Sequence, residues 1–310
     1  MIITITLAPA LDKTVLIPNF SINHVNRILQ MRTDPGGKGI NVSKALKEYG
    51  CDSLAMGILG GPVGAQIKES LDQLEISSHF IFTPDNTRTN LKVIDPNLKT
   101  NTDINEPGPP VSPHTLEQMQ RALLSHISPG DIVVLAGKLP PGASPSYYGS
   151  LIKICHAHQA KVFLDTDAEF LKEGIKESPF MIKPNLDELE RACDCRLESI
   201  EAVCRQGHKL LKKGISLVVV SLGKEGAVFL TKNAAIWGHG ISVPVKSTVG
   251  AGDSMLAAII WAESQEMTLE QTVRLAIASS TANVMRPGTD TAPYSETRPF
   301  LQQVQIQYLS

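Results

Sequence analysis

The chain has 310 residues, with 29 Lys and Arg against 31 Asp and Glu and a formal net charge of −2. That length supports a large buried core, and the near-neutral balance argues against a nucleic-acid partner, so a small anionic ligand must be met by local cations. No apolar stretch reaches the roughly 18 residues that cross a bilayer, so no membrane partner is expected. Five cysteines (Cys51, Cys155, Cys193, Cys195, Cys204) form no Cys-x-x-Cys pair, and Cys193-Asp-Cys195 has no second pair at zinc spacing. Reduced thiols in a cytoplasmic protein are expected.

In chain order, residues 2–7 alternate like a strand and lack a basic leader, so they belong to the fold. Helices are predicted over 41–49 and 65–74, on either side of no clear strand. Residues 13–32 and 87–102 are polar with period-two apolar positions and read as paired strands of a small lid. A proline-rich connector, 105–113, leads to a helix over 113–126. Predicted strands at 132–136, 162–165, 180–183 and 217–221 then alternate with helices at 145–158, 186–192 and 200–213. Helices over 255–262 and 269–285 follow. Apolar runs without polar alternation suit strands buried on both faces, and strand–helix alternation predicts an α/β, doubly wound, mostly parallel sheet with helices on both faces. One domain over 1–310 is expected, with the lid segments projecting from it.

The chemistry concentrates in Thr248-Val-Gly-Ala-Gly-Asp-Ser-Met255. Gly250 and Gly252 let the backbone turn its N–H groups toward an anion, and the helix behind adds its own terminus. Asp253 sets a carboxylate beside that cradle, as a base for phosphoryl transfer to a hydroxyl requires; an N-cap role is the plainer alternative. Asp34-Pro-Gly-Gly-Lys-Gly-Ile-Asn-Val42 reads as an anion or polyol site, with Gly37 beside Lys38 and Asn41 opening a helix. Asp12 follows the first strand, where ligands of open α/β sheets bind, although a turn-forming Asp would stand there equally. Arg27 and Arg88 are guanidinium forks for a phosphate, or solvated surface. Asn185 can cap a helix, and Glu188 on its first turn can hold a water of hydrated Mg2+. Ser221, Gly223 and Gly226 suit the approach of ATP. Neither a Walker A motif nor a dinucleotide fingerprint is present.

Taken in order, residues 9–12, 36–42, 87–90, 137–142, 183–188, 221–226 and 248–254 resemble the motif set of the PfkB (ribokinase-like) carbohydrate kinase family. The likeness is to its hexose-phosphate branch of 1-phosphofructokinase, tagatose-6-phosphate kinase and minor 6-phosphofructokinase, and covers residues 2 to about 290. It implies ATP and Mg2+ as cofactors, a β lid over the sugar, and a homodimer joined through the lids. It implies Asp253 as the base and the amides of Gly250, Ala251 and Gly252 as an anion hole. Asp12, Arg27, Gly37, Lys38, Asn41, Arg88 and Asn90 would hold the sugar phosphate. Lys183, Asn185, Ser221, Gly223, Gly226, Thr248 and Asn283 would line the ATP site, with Glu188 placing Mg2+.

Lys38 stands where the minor 6-phosphofructokinase pattern has Gly and the other two patterns have Lys. Fructose 1-phosphate, phosphorylated to fructose 1,6-bisphosphate, is therefore the first expectation. Tagatose 6-phosphate is the alternative, followed by fructose 6-phosphate, a free sugar or a nucleoside. A non-catalytic nucleotide-binding descendant is disfavoured, because Asp253 and both loop glycines are intact. Two positions depart from the family pattern. Lys138 replaces a small hydroxyl residue and is expected to contact the substrate phosphate or alter substrate choice, and Asp167 occurs where Ser is commoner.

Overall fold

A computed structural model describes residues 1–309. The first part of the chain runs β1 (Ile2–Thr6), β2 (Ala10–Leu16), β3 (Gln30–Gly36), α1 (Lys38–Glu48), β4 (Leu54–Gly60), α2 (Gly61–Gln73), β5 (Ser77–Thr83), β6 (Arg88–Asp95), β7 (Thr100–Asn105) and α3 (Pro113–His126). It continues β8 (Ile132–Ala136), α4 (Tyr147–Ala157), β9 (Lys161–Asp165), α5 (Ala168–Gly174), β10 (Met181–Ile182), α6 (Leu186–Cys193), α7 (Ile200–Leu211) and β11 (Leu217–Ser221). The last part is β12 (Gly226–Leu230), β13 (Ala235–His239), α8 (Ala251–Ser264), α9 (Leu269–Val284), α10 (Tyr294–Thr297) and β14 (Ile306–Leu309).

Ten strands form one sheet in the order β14-β13-β12-β11-β10-β9-β8-β1-β4-β5. From β5 to β11 the neighbours are parallel, and β12, β13 and β14 add an antiparallel edge. The buried runs IITIT and IVVLA serve both faces at once, because successive side chains point to opposite sides of a strand. Ile3, Ile5, Val133, Leu135, Val162 and Leu164 face α3, α4 and α5, where Met119, Leu151 and Leu171 are fully covered. Ile2, Ile132, Val134, Phe163 and Met181 face α1, α8 and α9 through Val42, Leu256 and Ile277. Each such aliphatic side chain contributes about 1.5–3 kcal/mol by leaving water.

The chain winds from β1 to β4 on one side and to β8 on the other, so the strand order reverses at β1. In open parallel sheets the crevice at the carboxyl ends beside such a point is where ligands bind. A second, four-stranded sheet, β3-β2-β6-β7, rises from that edge, with β2 and β6 parallel and a small apolar filling of Val15, Ile17 and Val93.

Several boundaries differ from the sequence reading. The small sheet uses Ala10–Leu16 and Gln30–Gly36, and residues between them form a loop, so Asp34-Pro-Gly36 is strand and not a free glycine loop. β4 and β5 were not predicted; Gly57 and Gly60 interrupt the run Leu54–Gly60, although Gly57 is required there because the Thr6 carbonyl approaches where a Cβ would sit. α8 begins at Ala251, four residues ahead of its predicted start, because Gly250 takes the left-handed conformation (φ 78°) that lets the helix begin inside the glycine motif. Pro184 follows Lys183, and β10 keeps only Met181–Ile182.

Candidate active site

The first turn of α8 carries Asp253 into the crevice, where its side chain is buried. The amides of Ala251, Gly252 and Asp253 precede the helical ladder, which begins with Ser254 N donating to the Gly250 carbonyl at 2.8 Å. The loop before it is braced from α9. Ser254 Oγ donates to Asn283 Oδ1 at 2.8 Å, and Asn283 Nδ2 donates to the Val249 carbonyl at 3.3 Å. Asn283, read as a wall of the ATP site, thus uses its amide to hold the loop.

From α1, Asn41 Nδ2 donates to Asp253 Oδ2 at 2.8 Å. Gly37 (φ 124°) is the N-cap of α1, where a Cβ would lie 2.6 Å from Thr6 Cγ2, and Ile40 N donates to Thr6 Oγ1 at 3.1 Å. Burial raises the Asp253 carboxyl above its ordinary value and the charge of Asp165 adds to this; Lys38, Asn41 and Lys183 act against it. A carboxylate raised in this way accepts a proton more readily than one in water.

Asp165, at the end of β9, is the hub of the site. Lys38 Nζ donates to its Oδ1 at 2.9 Å, and Lys183 Nζ lies 2.9 Å from Oδ2 as an ion pair off the hydrogen-bond direction. Burial would raise Asp165, but the two ammonium groups outweigh it and hold the carboxyl below the usual carboxylate range. Burial likewise disfavours the charge on Lys38, yet Asp165, Glu188 and Asp253 hold its pKa above that of an ordinary lysine. Lys183 Nζ is 3.3 Å from where a Cβ on Gly252 would stand, so its ammonium sits against the first turn of α8. Lys38 is thus held on Asp165, with the charges of Asp253 and Glu188 nearby. In the sequence Asp165 is marked only as an acidic residue closing a buried apolar strand.

On the side of the small sheet, a cavity of about 220 Å³ lies between Asp12, Asn90 and Asn105 and the Val249 and Gly288–Thr289 loops. Asn90 Nδ2 donates to Asp12 Oδ1 at 2.8 Å. Asn90 Oδ1 and Asn41 Oδ1 are buried without a hydrogen-bond partner. Two such acceptors call for donors from a ligand, because an unmet buried acceptor costs about 1–3 kcal/mol. Burial raises Asp12, against Asn90, Lys44 and Arg88. Arg88 donates to the carbonyls of Glu106 and Ala8 at 3.2 and 3.3 Å, and its Nε has no partner. Lys138 pairs with Asp167. Arg27 stands apart: it is exposed in the loop between β2 and β3.

The Gly288–Thr289 wall and its supports were not read from sequence. Lys44 Nζ, buried in α1, donates to the Thr289 carbonyl at 3.0 Å, and Arg32 of β3 bridges Asp34 and Asp290. Burial lowers the Lys44 pKa, against Asp34 and Asp290.

On the far side, a cleft of about 550 Å³ is lined by Asn185, Leu186, Ile200, Ser221, Gly223 and Trp237. Asn185 caps α6: Glu188 N donates to its Oδ1 at 2.8 Å, and Asn185 N donates to Glu188 Oε2 at 2.9 Å. The cap role is realised, and the residue still borders the cleft. Gly226 (φ 96°) is buried at the start of β12, where the Gly238 carbonyl excludes a Cβ, so strand pairing alone explains this glycine. Thr248 is exposed in the loop before α8.

Residues 9–297 match the model of the pfkB family carbohydrate kinases. The chain is similar to the 1-phosphofructokinase of Bacillus subtilis, 34% identical over 91% of this chain and 92% of that protein. It is also similar to the 1-phosphofructokinase of Rhodobacter capsulatus, 35% identical over 90% of this chain and 89% of that one. Among solved structures, phosphofructokinase-2 from Escherichia coli in complex with substrates and products superposes with a TM-score of 0.93 at 28% identity, covering 98% and 99% of the two chains.

Proposed function

The chain belongs to the pfkB family of carbohydrate kinases, and from that membership and the site geometry we propose that it transfers the γ-phosphoryl group of ATP to fructose 1-phosphate. The acceptor reading rests on the relatives named 1-phosphofructokinase and on Lys38. The observation that carries the chemistry is Asp253, buried in the first turn of a helix beside free amides and two ammonium groups.

In this reading the sugar lies in the cavity at Asp12 and Asn90, where the unmet Asn90 Oδ1 accepts a hydrogen bond from one of its hydroxyls. Asp253 accepts the proton of the attacking hydroxyl as the new O–P bond forms and the bond from Pγ to the β-bridging oxygen breaks, releasing ADP. Amides of Gly250, Ala251 and Gly252, with Lys183 and Lys38, balance the charge on the equatorial oxygens. ATP occupies the cleft at Asn185, Ser221 and Gly223. Glu188 fits Mg2+ through water: Oε2 is engaged in the cap, and Oε1 makes no hydrogen bond among the described residues. Bound there, the metal would neutralise phosphate charge. Arg88 and Lys138 take the phosphate the sugar already carries, and Arg27, exposed in the loop between β2 and β3, is a third cation for it.

A coupled assay of ADP release tests this over fructose 1-phosphate, tagatose 6-phosphate, fructose 6-phosphate and the free sugars. The highest kcat/KM is expected for fructose 1-phosphate; a higher value for tagatose 6-phosphate would move the assignment to that substrate.

The assembly reading is a homodimer through the small sheet. Ile22, Val25, Ile28 and Leu29 of the loop between β2 and β3, and Met31 of β3, are exposed apolar side chains that a partner would cover. Light scattering of the purified chain, expected at twice 33.5 kDa, tests it. The five free thiols suit a reducing cytoplasm.

A further inference from the structure

Lys138 and Asp167, the two departures from the family pattern, are partners: Lys138 Nζ lies 3.2 Å from Asp167 Oδ2. They follow the ends of adjacent strands, β8 and β9, paired there at Ala136 and Asp165. The backbone that carries them is braced. Gly137 N donates to the Asp165 carbonyl at 2.9 Å, and Thr166 Oγ1 and the Tyr148 hydroxyl donate to the Gly137 carbonyl at 2.8 and 3.0 Å.

On one side of the pair, a Cβ at Gly137 would stand 3.9 Å from Lys38 Cβ. On the other, Pro140 and Pro141 share a small apolar cavity with Arg88. The segment that carries Lys138 thus touches Lys38 at one end and borders Arg88's cavity at the other. Asp167 occupies the N-cap position of α5, where an aspartate ordinarily accepts from the first amides of the helix. Its side chain makes no such bond, and the carboxylate meets Lys138 instead. The side chains are 64% and 33% exposed, so the pair is held in water and open to exchange.

We propose that Asp167 sets selectivity for a phosphorylated acceptor by holding Lys138 until a phosphate dianion takes it. This rests on the reading that Lys138 meets the acceptor's own phosphate. A neutral hydroxyl cannot compete with a carboxylate for an ammonium group, whereas a dianion can. Engaging Lys138 costs the Lys138–Asp167 contact, so the pair admits only a ligand that replaces it with a stronger one.

The test uses the full chain with Asp167→Asn, Asp167→Ser, Lys138→Met and the double variant Asp167→Asn/Lys138→Met, each checked for an unchanged thermal midpoint. Two quantities are measured: calorimetric binding of inorganic phosphate, and kcat and KM for fructose 1-phosphate at saturating ATP. An exposed pair of this kind sets an effect of about two- to fivefold. Both Asp167 variants are expected to bind phosphate tighter and to lower KM by that factor, with kcat unchanged. Lys138→Met weakens both, and the double variant matches Lys138→Met because Asp167 acts through that lysine. Unchanged phosphate affinity in the Asp167 variants, or an Asp167 effect that persists without Lys138, would overturn the proposal. The phosphate titration reads the pair even if another sugar phosphate proves to be the substrate, which separates failure here from failure of the substrate assignment.

Discussion

Asn41 Nδ2 and Asp253 Oδ2 meet at 2.8 Å, across 212 positions of chain. The bond joins the buried faces of α1 and α8. It fixes one oxygen of the carboxylate and favours its ionised form, against the burial that raises its pKa. The carboxylate is thereby oriented, and the bond works with Lys38 and Lys183 against the upward shift.

Replacing that base removes chemistry and relieves the fold. Asp253→Asn is expected to lower kcat by about 10²–10⁴-fold, the usual range for a positioned base, with ATP affinity retained in a calorimetric titration. A raised carboxyl binds its proton more tightly folded than unfolded, so the native state loses stability as pH rises through that interval. The Asn variant should therefore show a higher thermal midpoint than the parent at pH 7. Near-parental turnover would remove Asp253 from its role.

Asn41→Leu tests the orientation separately. Loss of the donated hydrogen bond raises Asp253 further, so the acid limb of the kcat–pH profile should move to higher pH. At pH 7 kcat is expected to fall by about tenfold, the equivalent of one hydrogen bond to a charged group. An acid limb that stays in place would show that the contact does not tune the base.

Asp165→Asn leaves Lys183, which is buried, without its counter-charge. Breaking a buried pair in this way costs about 3–5 kcal/mol, read as a lower denaturation midpoint. The pH sign follows from the depressed carboxyl: the parent gains stability from Asp165 above the unfolded value of about pH 4 and loses it as pH falls through the lower folded value. The variant should lack this acid-side loss, and identical acid unfolding of the two proteins would rule it out.

Gly250→Ala forces an L side chain into φ 78°, a cost of about 1–2 kcal/mol. Space is not the obstacle, since the nearest atom to such a Cβ, Asn283 Nδ2, is 3.5 Å away. The loop amides would move with the relaxation, so kcat should fall more than ATP affinity does. A large loss of kcat with unchanged stability, or the reverse, would separate anion hole from turn.

The strands at residues 132–136 and 217–221 and the helix at Pro113–His126 were legible because their signals are local: apolar run length, helical period and a Ser112-Pro113 start. The motif at Thr248–Met255 likewise displays its two glycines and its carboxylate in eight consecutive residues. The sharing of Asp165 by Lys38 and Lys183, the Lys138–Asp167 pair, and the Arg32 and Lys44 supports of the Gly288–Asp290 loop had no such local signal. Each joins residues from different elements, and a side chain's charge partner depends on strand order and helix packing, which no spacing along the chain records. Composition and period thus determined the layers and the chemistry available. Tertiary structure decided which cation faces which carboxylate, because electrostatics acts through a few ångströms of space and not through sequence distance.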